Sequence, residues 1–421
     1  MTPFLYFFTD PVLRAPTIGC MLMCLASSLV GVIIFLRKRS LVGEALSHAS
    51  YPGVVLSIFF SELLFPFSEE VIAINVLVGA SLTAFLGLKG INFLEQRLKV
   101  KNDAALSFVL SIFFGVGILF ASRLQITHAL WYKQAQLFLY GQAATMTDIH
   151  IAIYGVLALL IAVFIILMYR HLKAVNFDPD FSSSVGLSSS KIDHLTMLFL
   201  VLAIVIGIRS VGVVLMAGML IAPAAAARPF TKRLSTHFLL AGSFGLLSGF
   251  LGNYLSIVIP QGQYSLPTGP MILLCATTFC IFGMLLAPKN GLLIRFSRAL
   301  MFRRQCQIEN SLKTLWKKKN SPIPFWVIIH LKLRGWICHS PSGYELTEKG
   351  RKKAERVIRL HRLWEVYLVD YMGQSVEKVH RNAEELEHLF TPELERELTS
   401  LLQDPKRDPH HQPIPAREGL L

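Results

Sequence analysis

Charge is scarce in this sequence. Only 16% of its 421 residues are Asp, Glu, Lys or Arg, against 53% hydrophobic. A chain of that length and polarity is rarely a water-soluble globule, so an integral membrane protein is the first expectation. Acid is scarcer than base, 27 residues against 41, which leaves a formal net charge of +14. In a membrane chain such an excess usually marks cytoplasmic loops, and only sometimes nucleic acid. Cysteine is sparse too. Of the six, Cys20, Cys24, Cys275 and Cys280 fall in apolar spans and Cys306 and Cys338 in the basic C-terminal part. They read as small apolar fillers or free thiols. No cleavable leader is expected, because the first apolar segment follows no basic stretch and the next polar stretch lacks a small-residue cleavage site.

Long apolar runs are abundant as far as Pro288. Spans are expected near 14–36, 44–61, 71–90, 104–122, 149–169, 194–210, 211–228, 236–259 and 268–287, each long enough to cross hydrocarbon. The pair within 194–228 is one apolar run interrupted by "RSVG", read as a tight turn. Every second loop is basic: Arg37, Lys38 and Arg39; Lys99 and Lys101; Arg170 and Lys173; Arg228, Lys232 and Arg233; Lys289 and Arg295. The positive-inside rule puts those loops in the cytoplasm, with the N-terminus outside and the C-terminus inside. That arrangement needs an odd number of spans, about nine. The expected fold is therefore an all-α polytopic membrane domain, 1–288, followed by a mainly helical cytoplasmic domain. A basic amphipathic linker, 289–308, joins them as an interfacial helix or tether. The last stretch, "DPKRDPHHQPIPAREGLL", reads as an extended or disordered end.

One span carries chemistry. In "SLVGEALSHASYPGVVLSIFF", Glu44 and His48 stand four residues apart, on one helix face. Ionisable groups in a span cost several kcal/mol (~3 at the helix centre on insertion scales) unless a cavity or partner receives them. A carboxylate beside an imidazole suits a divalent first-row metal. Two readings stand: a transit or gating site for such an ion, or a structural pair closing the helix start. The surrounding words resemble ABC transporter permeases of the zinc, manganese and iron import class. "RKRSLVGEALSHASYPGVVLS" is similar to their "GDALSHA…PG" signature, with Glu44 where Asp is usual. "VKNDAALSFVLSIFFGVGILF", "VNFDPDFSSSVGL", "VGVVLMAGMLIAPAAAARPFTKRL", "GLLSGFLGNYLS" and "LPTGPMILL" follow in the family's order across residues 10–288.

The resemblance implies a permease subunit that pairs with a second permease chain or with itself. A cytoplasmic ATPase would dock on the inner loops, and an extracytoplasmic binding protein would deliver the metal. No phosphate-binding GxxxxGKS or GxxxxGKT loop occurs, so ATP hydrolysis is expected from the separate subunit and not from this chain. The ATPase-coupling element is expected at Ala225–Leu234, which carries Arg228, Lys232 and Arg233 and is broken by Pro229. A plain positive-inside anchor explains the same charges. Asp103 is expected as a helix N-cap. Asn253 and Tyr254 either line the path or serve core hydrogen bonds.

In the second part, His361 and Glu365 share a helix face, as do Glu384, Glu387 and His388, with His380 one turn earlier. Imidazoles and carboxylates on neighbouring helices suit Fe2+ or Mn2+, with Zn2+ a further candidate. A solvated charged face with intrahelical pairs has the same spacing. The stretch from "YELTEKGRKKAERVIRLHRLWEVYL" through "VHRNAEELEH" to "DPHHQPIP" resembles the metal-binding and dimerisation domain of iron-dependent repressors, the diphtheria toxin repressor class. The resemblance implies that His361, Glu365, His380, Glu384, Glu387 and His388 hold the metal. Glu384 stands where the iron branch has Cys and the manganese branch has Glu. No counterpart of that family's SH3-like domain is expected after "PIP". Residues 351–421 are expected to form this domain.

Residues 309–350 resemble a winged helix-turn-helix that lacks its first helix-turn-helix member. The helix in the recognition position has Phe325, Trp326, Val327, Ile328 and Ile329, where polar donors are needed to read bases. Asn310 and Lys313 replace the acidic ligands of relatives. Lys317, Lys318, Lys319, Lys332 and Arg334 remain to meet phosphates or anionic lipid, with Lys332 and Arg334 the nearest to a DNA-binding set. The order of parts is similar to the chlamydial type of metal permease fused to a repressor-like domain. The tail then either senses metal and represses transcription at operator DNA, with cleavage in 289–310 a route to release, or regulates and dimerises without DNA. A third reading keeps transport alone.

Overall fold

The computed structural model describes residues 5–64, 69–141, 143, 146–178, 182, 184, 189–259, 266–288, 291–318, 322–341, 343–375 and 392–416. It divides into two compact units, Met1–Ile294 and Arg295–Leu421.

The first unit is helical, as hydrocarbon demands: without water, a spanning backbone closes its own hydrogen bonds. A short helix α1 (Tyr6–Thr9) precedes α2 (Pro11–Leu36), α3 (Leu41–Leu64), α4 (Glu69–Gln96) and α5 (Asn102–Thr127). Then come α6 (Ala129–Tyr140), α7 (Asp148–Leu167), α8 (Tyr169–Phe177), α9 (Ser189–Val211), α10 (Val213–Ala227), α11 (Leu234–Val258) and α12 (Thr268–Leu286). Among the described residues, eight helices are long and apolar enough to cross a membrane. With α3, whose 24 residues include Glu44 and His48, they account for the segments marked in the sequence. Helices α6 and α8 were not marked; at 12 and 9 residues they are too short to cross.

The "RSVG" turn falls at Gly212, whose φ of +93° separates α9 from α10 after Val211. A side chain there would be strained. Helix α10 is central and packs on α2, α3, α11 and α12. Small residues permit the approach. A Cβ on Gly31 would collide with the Leu220 carbonyl of α10, and one on Gly53 with the Gly79 carbonyl of α4. Asp103 is not an N-cap: Lys101 holds that position, and Asp103 lies exposed in the first turn of α5, where its charge faces the positive end of the helix.

The second unit opens with α13 (Leu292–Trp316), so the basic stretch after the membrane unit is helical. Only eight residues separate it from α14 (Phe325–Leu333). The hairpin β1 (Ile337–Ser340) and β2 (Gly343–Leu346) follows, paired antiparallel, and then α15 (Glu348–Asp370) and α16 (Pro392–Leu401). Leu312, Val327, Leu331, Ile337 and Ala354 form a core that joins α13, α14, the hairpin and α15. Leu363, Val366, Leu398 and Ile414 form a second.

Of the two expectations for the last stretch, extended or disordered, the described residues as far as 416 are ordered and non-helical. Arg359, buried on α15, donates to Pro415 O at 2.7 Å and to Asp404 Oδ1 at 2.9 Å. Arg362 pairs with Asp408 at 3.3 Å and donates to Pro413 O. Asp408 in turn accepts from the backbone N–H groups of His410 and Gln412. Two arginines on one helix thus supply the donors that a Pro-rich segment cannot supply to itself.

Candidate functional site

Helix α3 carries the membrane part of the site. Glu44 lies half-buried in its first turn, and His48, one turn on, is 8% exposed. Their serine neighbours are satisfied locally. Ser47 donates to Gly43 O at 2.7 Å and Ser50 to Ser47 O at 2.6 Å. His48 Nδ1 is buried without a hydrogen-bond partner among the described residues, and so is the hydroxyl of Tyr51. Tyr51 was not singled out from the sequence. It stands seven residues after Glu44, so Glu44, His48 and Tyr51 form one stripe along α3. The signal was there as a polar residue at helical spacing beside Pro52, but a tyrosine in a span reads equally as core.

Helix α5 holds these rings. Phe114 meets His48 edge-on at 4.5 Å and Tyr51 at 5.9 Å. Gly117 leaves room for Tyr51: a Cβ there would come within 2.6 Å of its ring. An unpartnered imidazole nitrogen and phenol oxygen inside an apolar bundle cost free energy. They are the kinds of donor atom that can ligate a divalent first-row ion.

The expected coupling residues fall on a turn. After α10 ends, Arg228–Phe230 form one turn of 3-10 helix, and Arg233 caps α11. Arg228, Lys232 and Arg233 are exposed. Arg228 donates to Thr231 O at 3.3 Å, and Thr231 Oγ1 accepts from the Arg233 N–H at 3.1 Å. Buried His237, unremarked in the sequence, ties the turn together by donating from Nε2 to Ala224 O at 2.8 Å. Asn253 serves the core: its Nδ2 donates to Thr17 on α2 at 2.8 Å. Tyr254 stacks on Phe250.

In the second unit, His361 and Glu365 do meet. His361 Nε2 lies 3.1 Å from Glu365 Oε1, and both side chains are almost wholly buried. The other ring nitrogen, Nδ1, lies 3.3 Å from Lys313 Nζ on α13, buried as well. Glu309, one turn before Lys313, is a further buried carboxylate that sequence reading passed over. Asn310 points outward. His380, Glu384, Glu387 and His388 lie outside the described residues, as does Lys319. Among the described residues, no group of three or more His, Cys, Asp or Glu stands together as a metal cage.

On α14, Val327 and Leu331 are core, while Phe325, Trp326, Ile329 and Leu333 are exposed. Lys332 and Arg334 are exposed too, and Lys332 Nζ lies 5.0 Å over the Tyr344 ring. The outer face of the helix in the recognition position is therefore largely apolar.

Residues 9–287 match the model of the "ABC 3 transport family", and residues 347–416 match "Iron dependent repressor, metal binding and dimerisation domain". The chain belongs to the ABC 3 transport family: it is a multi-pass membrane permease, joined to a domain of the iron-dependent-repressor kind. The repressor match starts at Thr347, just after the β1–β2 hairpin. A Chlamydia pneumoniae protein named a probable metal transport system membrane protein is 35% identical over 98% of this chain and 98% of its own. A Bacillus subtilis protein named manganese transport system membrane protein MntC is 32% identical, over 84% of this chain and 83% of its own. The solved structure of PsaBC from Streptococcus pneumoniae in complex with Fab superposes with a TM-score of 0.58 at 24% identity. It covers 68% of this chain and 96% of that one, a likeness of fold.

Proposed function

We propose that this chain is the permease subunit of an ATP-driven importer of a divalent first-row metal, manganese, iron or zinc. The observation that carries the reading is the stripe on α3: half-buried Glu44, then His48 Nδ1 and the Tyr51 hydroxyl, both buried without partners among the described residues. Hard and borderline dications accept carboxylate, imidazole and phenol donors together. Two or three weak donors let an ion pass, whereas a closed four-ligand cage retains it. The names of the relatives support a metal cargo without selecting the ion.

A second permease chain, or a copy of this one, completes the path. An extracytoplasmic metal-binding protein feeds it. A separate cytoplasmic ATPase drives it through the turn at Arg228, Lys232 and Arg233. The basic loops support a bacterial inner-membrane location with the N-terminus outside and the tail in the cytoplasm. The test is metal uptake, ion by ion, in cells carrying Glu44→Ala or His48→Ala. Uptake of every ion at the unsubstituted rate sinks the reading.

The tail is proposed to bind Fe2+ or Mn2+ as a metal-sensing, repressor-like domain, with His380, Glu384, Glu387 and His388 the candidate ligands; His361 and Glu365, also candidates by sequence, form a buried pair on α15. A second reading, regulation or dimerisation without DNA, is favoured by the apolar outer face of α14. There Lys332 and Arg334 are the only exposed cations on or just after a helix that otherwise presents Phe325, Trp326, Ile329 and Leu333. A gel shift with the purified full-length chain and operator-length DNA, with and without Mn2+, separates the two. A metal-dependent shift abolished by Lys332→Ala and Arg334→Ala supports repression; no shift supports the second reading.

A further inference from the structure

We infer that Lys313 is the resident cation of the His361–Glu365 pair: its side chain occupies the place beside His361 Nδ1 that a divalent metal would take. The inference rests on the reading of the tail as a metal-binding domain, and it assigns half of that site to the chain itself.

The geometry is that of a metal-bound histidine with the metal exchanged. A ligating imidazole presents one nitrogen to the cation and donates its other N–H to a carboxylate, which orients the ring and raises its basicity. Here Nε2 faces Glu365 Oε1 at 3.1 Å. That carboxylate only accepts, so Nε2 carries the hydrogen and Nδ1 presents its lone pair. Lysine only donates, and Lys313 Nζ stands 3.3 Å from that lone pair. Cation, neutral ring and carboxylate form one chain, with all three side chains buried.

A metal cannot share this arrangement. Imidazole binds such ions at covalent-contact distance, about 2.0–2.1 Å for Zn2+, along the same lone pair that Lys313 uses. Two cations that close, away from water, repel strongly. Loading His361 therefore requires Lys313 to leave the interior. The contact also joins α13 to α15.

Bound Mn2+ per chain, counted on the purified full-length protein after desalting, tests this. His361→Ala is expected to leave the count unchanged. Lys313→Glu, which trades a cation for an oxygen donor, is expected to raise it by about one ion per chain. Adding His361→Ala to Lys313→Glu is expected to cancel that rise. Lys313→His makes the same prediction and serves where the glutamate variant does not fold. Loss of an ion in His361→Ala alone, or no gain in the folded Lys313 variants, overturns the inference. His388→Ala reports on the tail's metal reading separately: an unchanged count there removes that reading, and the Lys313 and His361 comparison still decides the role of Lys313.

Discussion

Four polar residues within one turn of α3 meet two fates. Ser47 and Ser50 return their hydroxyls to the helix, whereas His48 and Tyr51 leave a donor atom bare in the interior. A buried polar group without a partner destabilises by roughly 1–3 kcal/mol. Tyr51→Phe is therefore expected to keep or raise the thermal stability of the detergent-solubilised chain while lowering metal uptake. A structural tyrosine would lose both or neither. His48→Ala is expected to lower uptake about tenfold or more, the effect of forfeiting some 1.4 kcal/mol of interaction with the ion in transit.

Elements succeed here through what their neighbours leave open. Helix α5 seats Tyr51 only because residue 117 has no side chain. Gly117→Val is expected to push the ring aside and reduce uptake without touching any donor atom, with transport assays and a melting curve read together. In the tail, α15 organises a segment that has no period of its own. Arg359→Met removes two charge-assisted hydrogen bonds, to Pro415 O and Asp404. The expected loss is about 1.5 kcal/mol, the low end for charged hydrogen bonds, because Asp404 is about half exposed. Limited proteolysis should then cut near 404–416 where the unsubstituted chain resists.

For the molecule as a whole, the question is how a permease engages what drives it. The turn after α10 offers three exposed cations on a short, hydrogen-bonded frame closed by His237. Lys232→Glu with Arg233→Glu is expected to shift stability by no more than about 0.5 kcal/mol, as exposed substitutions do. Uptake and co-purification of the ATPase should both fall. If both survive, the turn is only a topological anchor.

The amino-acid sequence alone determined the long helical segments of the membrane unit, the break at Gly212 and the Glu44–His48 spacing. Each of these is local: hydrocarbon forces a backbone to close its bonds within a few residues, and one residue's freedom or charge is legible in its own window. Only the tertiary structure decided that Tyr51 joins the stripe, that Asn253 is spent on Thr17, that the last segment folds back on α15, and that Lys313 stands against His361. Those contacts join residues far apart in the chain or compare the surroundings of similar side chains. No periodicity records them; they follow from which faces the packing brings together and which donors it leaves without water.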